Sequence, residues 1–337
     1  MGAELKVLLF ATASALALPF AKATDRALGP RGCLFTFHRA APSALWEELP
    51  NRNFYIDVAF LDKFLTYLAA QSWDVVTMSE AQRRMSSGDR GNYVNFSIDD
   101  CYRDTFEVVA PLFRKHQVPL TLFVTTGIPD GTLSLWSSGL EDALLNRDLV
   151  RVGDETVVLD SGEARRAAYR RIAASWDGLE ADKHYAAFCA ANGIDIEAVH
   201  WKHAISWEML AELAHDPLFE IGAHTVTHAR ISSLDPEAAM AELEQSRSRL
   251  NERLGIRVEH FAFPYGRAVD CGPRDFELAQ RAGFRSAATT RKGLVRRGRD
   301  AFSLPRNTIN GGHRSLAAME MHLMGFTGTA ARVLGRV

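Results

Sequence analysis

Cysteine is scarce in this 337-residue sequence, and the four that occur, at positions 33, 101, 189 and 271, include no C-x-x-C pair. Their spacing is not that of a cysteine zinc site. Their low density is typical of a chain that does not depend on disulfides, although a disulfide in an oxidising compartment stays open. The formal net charge is only −2. The composition therefore gives no support to bulk phosphate binding, and no nucleic-acid partner is predicted.

Internal repeats and low-complexity tracts are also missing. An apolar run at 7–21 is too short for a comfortable membrane span. We interpret residues 1–30 as an N-terminal apolar segment, either a helix docked on the domain or on a membrane surface, or a secretory signal. The thin charged region before the run favours an uncleaved helix. That interpretation predicts a cytoplasmic or membrane-associated protein with peripheral membrane contact, with export to the periplasm as the alternative; the sequence indicates no oligomeric state.

Strand-like apolar segments alternate with helical patterns along most of the chain, which is typical of βαβ units and a parallel sheet. Residues 129–203 break this alternation, so we expect a helical insertion there. The predicted organisation is a barrel over residues 31–315 followed by a C-terminal helical segment, 316–337. The predicted strands are 33–37, 73–77, 93–98, 119–125, 219–223, 260–264, 284–289 and 304–309, and the predicted helices are 58–71, 79–88, 104–116, 207–215, 236–254, 274–282 and 316–323.

Two short motifs carry the candidate chemistry, and each follows a predicted strand. Asp99 and Asp100 come after the strand at 93–98, and His224 and His228 stand four residues apart. One carboxylate and two imidazoles make a three-ligand set for a divalent metal with positions open for water and substrate. The other carboxylate is then left to act as a base. Because the carboxyl-terminal ends of parallel barrel strands converge on one face, we expect a single site.

Each motif taken alone also has a simpler interpretation. Adjacent aspartates after a strand are common in turns, where they accept backbone N–H groups. Histidines at i and i+4 lie on one face of a helical turn, and such a pair can simply be exposed. No glutamate follows the first histidine, so this is not the zincin signature. The strand that precedes each motif makes the metal-site interpretation the stronger one.

Several segments, in order along the chain, resemble the polysaccharide deacetylases, the NodB-homology family of carbohydrate esterases. Residues 96–101 (FSIDDC) resemble the family's T-F-D-D-G motif, and residues 222–228 (GAHTVTH) are similar to its H-[ST]-x-x-[HS] motif. Residues 261–266 (FAFPYG), 35–39 (FTFHR) and 283–290 (GFRSAATT) resemble three further family segments. The resemblance extends over nearly the whole predicted barrel.

This resemblance implies an α/β fold, a distorted (β/α)7-type barrel, and metal-dependent removal of N-acetyl groups from a glycan that contains N-acetylglucosamine. It assigns Asp100, His224 and His228 to the metal, which we expect to be Zn²⁺, with Co²⁺ as the alternative. It assigns Asp99 to the general base and the backbone N–H of Tyr265 to the oxyanion. The implied partner is a carbohydrate substrate, either a chito-oligosaccharide or an exopolysaccharide.

The sequence departs from the family pattern at two positions near the expected site. Cys101 stands where the family usually has glycine, and packing or local strain explains this residue better than a role as a fourth metal ligand. Ala262 lies in the stretch where the family commonly has an arginine that orients the base. We therefore hypothesise that Arg306 forms the missing ion pair with Asp99.

The general acid is the least defined role, because the family's late L-x-x-H motif has no clean match. His313, which follows a glycine pair, is our candidate; His322, in a helical apolar pattern, and His38, at a strand end, are the alternatives. Tryptophans in and beside the insertion offer aromatic faces to a sugar, but we expect buried packing for each of them: Trp136, Trp176, Trp201 and Trp207.

Two other functions stay open at this point. Related barrels hydrolyse small N-acyl or ring amides, so an amidohydrolase is one alternative. A catalytically inactive carbohydrate-binding barrel is the other. The presence of both aspartates and both histidines argues against the inactive barrel, because a site that only binds has no need for the base.

Overall fold

Seven parallel strands curve into a distorted barrel at the centre of the computed structural model. The described residues form twelve strands in all: β1 Gly32–Phe37, β2 Arg39–Ala41, β3 Tyr55–Asp57, β4 Asp74–Val75, β5 Tyr93–Asp100, β6 Leu120–Val124, β7 Leu149–Val152, β8 Glu155–Val158, β9 Phe219–Ala223, β10 His260–Ala262, β11 Ser286–Ala288 and β12 Asn307–Thr308. In space the barrel strands follow the order β11-β10-β9-β6-β5-β1-β12, and β4 pairs with β5. A parallel bridge between Ala288 and Leu304 brings the two ends of this path together. The predicted α/β barrel is confirmed.

The structure describes residues 31–71, 73–87, 91–176 and 180–328, together with Thr12 and Ser14. The predicted N-terminal segment 1–30 therefore lies outside the described residues, apart from these two. Residues 329–337 of the predicted C-terminal segment lie outside them as well. Among the described helices, none combines the length and the hydropathy that crossing a bilayer requires.

Strands β1 and β5 are buried along their whole length, as expected for strands that are covered on both faces. On the outer face, the rings of Phe35 and Phe96 lie 5.5 Å apart and both contact Phe64. The residues that alternate with them, Thr36 and Ser97, accept hydrogen bonds from the guanidinium of Arg306. The inner face of the barrel is therefore polar close to the end of β5.

Helices surround the barrel and agree well with the periodic segments of the sequence. The clearest predicted helix begins after Asp235, whose side chain accepts the N–H groups of Glu237 and Ala238, and ends at Gly255 with φ 66°. The helices are α1 Val58–Ala70, α2 Met78–Ser87, α3 Ala110–His116, α4 Trp136–Leu145, α5 Gly162–Ser175, α6 Ala181–Asn192, α7 Ile196–His203, α8 Trp207–Ala214, α9 Pro236–Leu254, α10 Pro273–Arg281 and α11 Leu316–Leu323.

The helix predicted at 104–116 is divided in two. A π-helical turn covers Thr105–Val109, and α3 begins only at Ala110. Pro111 explains the division, because proline has no N–H to donate to the preceding turn.

The sequence did not predict the parallel pair of β2 and β3. Segments of three residues are too short to show a detectable alternation of apolar and polar residues.

Helices α4 to α7 lie between β6 and α8, in the region that the sequence assigned to an insertion. Helices α4, α5 and α6 share a hydrophobic cluster of their own, which includes Leu144, Ile172, Trp176 and Phe188. The region also contains the antiparallel hairpin of β7 and β8, which the sequence did not predict. The reason is that both strands are short and largely exposed.

Candidate active site

The two adjacent aspartates end β5 but face different surroundings. Asp99 continues the inward face of the strand and is 2% exposed. At Asp100 the backbone enters the left-handed region with φ 66°, and Cys101 follows with φ 67°. The chain therefore turns sharply at the end of the strand, and Asp100 faces the loop that follows β9.

His224 and His228 lie on that loop, not on the helical turn predicted from their spacing. Thr225 and His228 have φ values of 67° and 56°, and these left-handed residues reverse the chain between the two histidines. The imidazole centroids come to 5.2 Å from each other. The two rings lie close together, but the prediction of a helical turn was wrong, because two left-handed residues are incompatible with an α-helix.

The structure brings Asp100, His224 and His228 together as a potential ligand set. Their ligand atoms all lie within 4.8 Å of one another. Asp100 Oδ1 is 3.5 Å from His224 Nε2 and 3.3 Å from His228 Nε2. This oxygen is buried and has no hydrogen-bond partner among the described residues. A buried carboxylate oxygen without a donor is costly unless a cation satisfies it, so these residues fit a divalent metal.

The environment of His224 fixes which of its nitrogens faces the other two ligands. Its Nδ1 lies 2.7 Å from the carbonyl oxygen of Ala262, which can only accept a hydrogen bond. The proton therefore resides on Nδ1, and the Nε2 lone pair is directed to Asp100. Burial lowers the pKa of His224 to about 4, and the neighbouring carboxylates only partly oppose this shift. The ring is thus neutral near pH 7, the form that binds a metal.

Asp99 is held apart from this set by a two-pronged ion pair with Arg306. Its Oδ1 and Oδ2 accept hydrogen bonds of 2.6 and 2.8 Å from the two terminal nitrogens of the guanidinium. Both side chains are almost fully buried. Burial alone raises the pKa of Asp99, but Arg306, and to a smaller extent His224, lower it to about 2. The hypothesised partner of the base is therefore present, and Asp99 is ionised near pH 7.

Cys101 lies next to the ligand set but faces away from it. Its thiol is fully buried and contacts the carbonyl oxygens of Ile98 and Phe123 at 3.9 and 3.7 Å. Burial, reinforced by Asp100, raises the pKa of the Cys101 thiol well above its usual value. The structure thus supports packing and a strained backbone at this position, in preference to a fourth ligand.

Tyr265 follows β10 with a φ of 60° and is half exposed. Its ring lies 5.0 Å from that of His228 and is covered by the guanidinium of Arg230 at 5.2 Å. Its carbonyl oxygen accepts a hydrogen bond from Thr290. These contacts fix the peptide beside the loop that carries the ligands; the role of its N–H in holding an oxyanion stays a prediction.

The three candidate acids occupy different surroundings. The ring of His313 packs 5.4 Å from that of His322. Burial lowers the pKa of His313 to about 4 and that of His322 well below its usual value, so both rings are neutral near pH 7. His38 directly follows β1, and Phe37 lies opposite Ile98 in the parallel register of β1 and β5, so His38 and Asp99 occupy adjacent strand ends. The strand register therefore brings His38 to the strand end next to that of Asp99.

Glu242 on α9 supports the site, although the sequence analysis did not single it out. Its carboxylate accepts the N–H groups of Val226 at 2.7 Å and Thr227 at 3.0 Å, and the Thr227 hydroxyl at 2.7 Å. The loop between the two histidines is thereby held against α9. No local pattern reveals such a contact, because it depends on how α9 packs on the barrel.

Arg39 and Asp104 support the other side of the site. Asp104 accepts hydrogen bonds from the Arg39 side chain at 3.1 Å and from the N–H of Ala40 at 3.0 Å. The guanidinium lies between the rings of Tyr55 and Tyr102, 4.8 Å from each. This cluster joins β2 to the turn that follows Asp100. Its one sequence signal is that Arg39 directly follows His38 at the end of the first strand.

Several solved structures share this barrel fold. The Streptococcus pyogenes deacetylase PplD, solved with acetate, matches with a TM-score of 0.57 and 16% identity over 88% of this chain and 98% of its own. IcaB from Ammonifex degensii matches with a TM-score of 0.55 and 19% identity over 86% and 97%. A de-N-acetylase from Aggregatibacter actinomycetemcomitans matches with a TM-score of 0.56 and 12% identity over 87% and 99%. At these identities the likeness shows a shared fold.

Sequence comparison identifies the family. No curated protein sequence matches the chain. The family model described as polysaccharide deacetylase matches residues 87–287, which is more than half of the chain and includes both aspartates and both histidines. The chain therefore belongs to the polysaccharide deacetylase family.

Proposed function

We propose that this protein hydrolyses the N-acetyl groups of N-acetylglucosamine residues in an oligo- or polysaccharide, with a divalent cation held by Asp100, His224 and His228. The observation that carries the proposal is the separation of two neighbouring carboxylates. Asp100 faces two imidazoles, whereas Asp99 is locked onto Arg306. A carboxylate with two imidazoles suits Zn²⁺, which we propose as the metal, with Co²⁺ as the alternative.

The chain's own residues then have distinct roles. When bound, the cation supplies a Lewis acid that polarises the amide carbonyl and makes water easier to deprotonate. Asp99, ionised near pH 7, accepts the proton of the water that attacks the carbonyl carbon, while Arg306 fixes the direction of the carboxylate. The N–H of Tyr265 donates to the carbonyl oxygen as negative charge develops on it.

The leaving amine needs a proton before the C–N bond breaks into acetate and a free amino sugar. We assign this proton to His38 in preference to His313, our candidate from the sequence. Burial lowers the pKa of His313 to about 4, so near pH 7 its ring carries no extra proton to give. His38 directly follows β1, and the register of β1 and β5 places it at the strand end next to that of Asp99.

The two alternative functions fit the site less well. A barrel that only binds carbohydrate has no use for a second buried carboxylate held in a fixed orientation beside a ligand set. An amidohydrolase on a small N-acyl or ring amide requires the same machinery, so the substrate has to be tested directly.

Acetate release from N-acetylglucosamine oligomers tests the proposal. We expect release by the purified protein with added Zn²⁺ or Co²⁺, and its loss after treatment with a chelator. Asp99→Asn removes the base and should lower turnover by about 10²- to 10⁴-fold. Asp182→Asn, a matched change of an exposed aspartate on α6, should leave turnover as it is.

Other results would count against specific parts of the proposal. Acetate release that survives the chelator rejects the metal. Equal turnover of the Asp99 variant and the Asp182 variant rejects Asp99 as the base. Hydrolysis of small amides without any release from glycans favours the amidohydrolase, and glycan binding without release favours the inactive barrel.

A further inference from the structure

A cleft of about 580 Å³ lies outside the candidate active site. One wall is the 130–135 loop that follows β6, and the other is α7 at the end of the insertion. Side chains with polar groups are among its lining residues, including Thr132, Ser134 and Glu197. Part of the cleft is formed by the insertion, and none of the proposed catalytic residues lines it. The proposed reaction therefore assigns no role to this cleft.

Trp201 on α7 lines this cleft and is the exception to the packing expected for the tryptophans of this region. Trp176 and Trp207 are buried, at 5% and 8% exposure, and Trp136 packs against the insertion's own cluster. Trp201 is 39% exposed. Its indole is therefore accessible to a molecule that occupies the cleft.

The exposed indole is also held in place. The side chain of Arg103 donates two hydrogen bonds, of 3.2 and 2.8 Å, to the carbonyl oxygen of Trp201. The ring of His200 meets the indole edge-on at 4.8 Å, and Nε2 of His200 is bound to the carbonyl oxygen of Ile128 at 3.0 Å. Gly131 has φ 72°, and a Cβ there would lie 3.0 Å from the indole. A glycine therefore lets the opposite wall approach the ring.

Both walls of the cleft are joined to the segments that carry the metal ligands. On one side, an antiparallel bridge connects Tyr102 to Ala204, and Arg103 comes three residues after Asp100. Three residues of chain span at most about 10 Å. On the other side, the N–H of Gly127 donates to the carbonyl oxygen of Val226, between the two histidines, at 2.9 Å. The indole therefore lies within a few sugar residues of the ligand set.

We propose that Trp201 is a platform on which a sugar ring of the bound glycan stacks, away from the residue that is deacetylated. A pyranose ring presents a face of C–H groups that suits an indole, and its hydroxyls suit the polar groups of the cleft. Engagement of this subsite makes the enzyme prefer chains of several residues. This inference rests on the proposed function and names Trp201 as a residue that sets substrate length.

The test is the dependence of kcat/KM on chain length, with N-acetylglucosamine oligomers of two to six residues. In the protein itself we expect kcat/KM to rise with length. In Trp201→Ala, the ratio of kcat/KM for the hexamer to that for the dimer should fall about tenfold, mainly through KM. Trp201→Phe keeps an aromatic face and should retain most of the ratio. Leu149→Ala removes an exposed apolar side chain elsewhere on the insertion and should leave the ratio unaltered.

The outcomes separate this inference from the proposed function. If the protein releases acetate but Trp201→Ala keeps the full length dependence, the platform is rejected and the proposed function stands. If the protein releases no acetate from any oligomer, the proposed function fails first. A lower unfolding temperature of Trp201→Ala together with an equal loss on all lengths indicates a structural role and also overturns the inference. If the hexamer-to-dimer ratio of kcat/KM falls in Trp201→Ala but is retained in Trp201→Phe, stacking is supported.

Discussion

Arg306 and Asp99 show how a single pair of residues determines the state of the site. The guanidinium is fully buried in the barrel and donates to both carboxylate oxygens. Burial favours the neutral carboxyl, and the guanidinium reverses this, so that the pKa of Asp99 falls to about 2. Since a buried charge without its partner is strongly unfavourable, the pair affects stability and chemistry together.

Arg306→Ala should therefore reduce both properties. We expect the free energy of unfolding to fall by about 3–5 kcal/mol, because the variant leaves the Asp99 carboxylate buried and unpaired. We also expect the turnover of acetate release to fall at least about 100-fold, because the carboxylate loses its charge and its direction. Urea unfolding and steady-state kinetics at pH 7 measure the two effects.

Arg257 offers a matched control for this experiment. Its side chain is 76% exposed and pairs with Glu259 at 3.3 Å. Arg257→Ala should change the free energy of unfolding by no more than about 0.5 kcal/mol. Turnover by Arg306→Ala equal to that of the Arg257 variant would rule out the role of Arg306.

At the scale of the element, the ends of the barrel strands share a strained backbone. Five non-glycine residues with positive φ lie at or beside the ligands: Asp100, Cys101, Thr225, His228 and Tyr265. Such residues cost of order 1–3 kcal/mol each and persist only where the surrounding structure holds them. Tight turns after parallel strands thus orient the ligand side chains toward one point, and their strained backbone lowers the free energy of unfolding.

Cys101 provides a test of this strain. At φ 67° a side chain is unfavourable, so Cys101→Gly should be more stable than Cys101→Ala by about 1 kcal/mol. Because the thiol faces Ile98 and Phe123, both variants should bind Zn²⁺ as tightly as the parent protein. Urea unfolding and metal titration measure the two quantities.

Cys33, the second residue of the buried strand β1, should show the opposite order. In a strand, glycine is less favourable than alanine by about 0.5–1 kcal/mol, so Cys33→Ala should be the more stable of its two variants. If the glycine and alanine variants have the same order of stability at positions 33 and 101, backbone strain does not determine which residue is favoured at position 101. Loss of Zn²⁺ affinity in both Cys101 variants would instead indicate a fourth ligand.

At the scale of the whole molecule, the ligand set joins parts of the chain that are distant in sequence. Asp100 ends β5, whereas His224 and His228 follow β9, and β6 lies between these strands in the barrel. A cation bound to all three connects the two strand ends across β6. Because the unfolded chain does not preserve this arrangement, the cation binds the folded protein preferentially and stabilises it.

Zn²⁺ should therefore raise the unfolding temperature of the protein, and a chelator should lower it. At a free concentration 100 times the Kd, the gain in the free energy of unfolding is about 2.7 kcal/mol. His228→Ala removes a ligand that is partly exposed and should abolish most of this gain, whereas His215→Gln, at an exposed position on the end of α8, should not. An equal response of both variants to Zn²⁺ rejects the ligand set.

Local sequence patterns were enough to predict most of the strands and helices and the position of the candidate site. The strands and helices that form the barrel follow from alternation, periodicity and caps such as Asp235 and Gly255, because these depend on neighbouring residues alone. The placement of Asp99, Asp100 and the two histidines after strands was equally visible, and barrel geometry makes strand ends converge. The donor set and the fold class could therefore be predicted from sequence.

Tertiary structure alone decided how these residues are aimed. The left-handed loop at His228, the support from Glu242 and the exposure of Trp201 have no local signature. Each depends on the way the barrel closes and on how the insertion packs beside it. Side-chain contacts between distant segments are set by packing of the whole chain, whereas sequence patterns record the preferences of short segments.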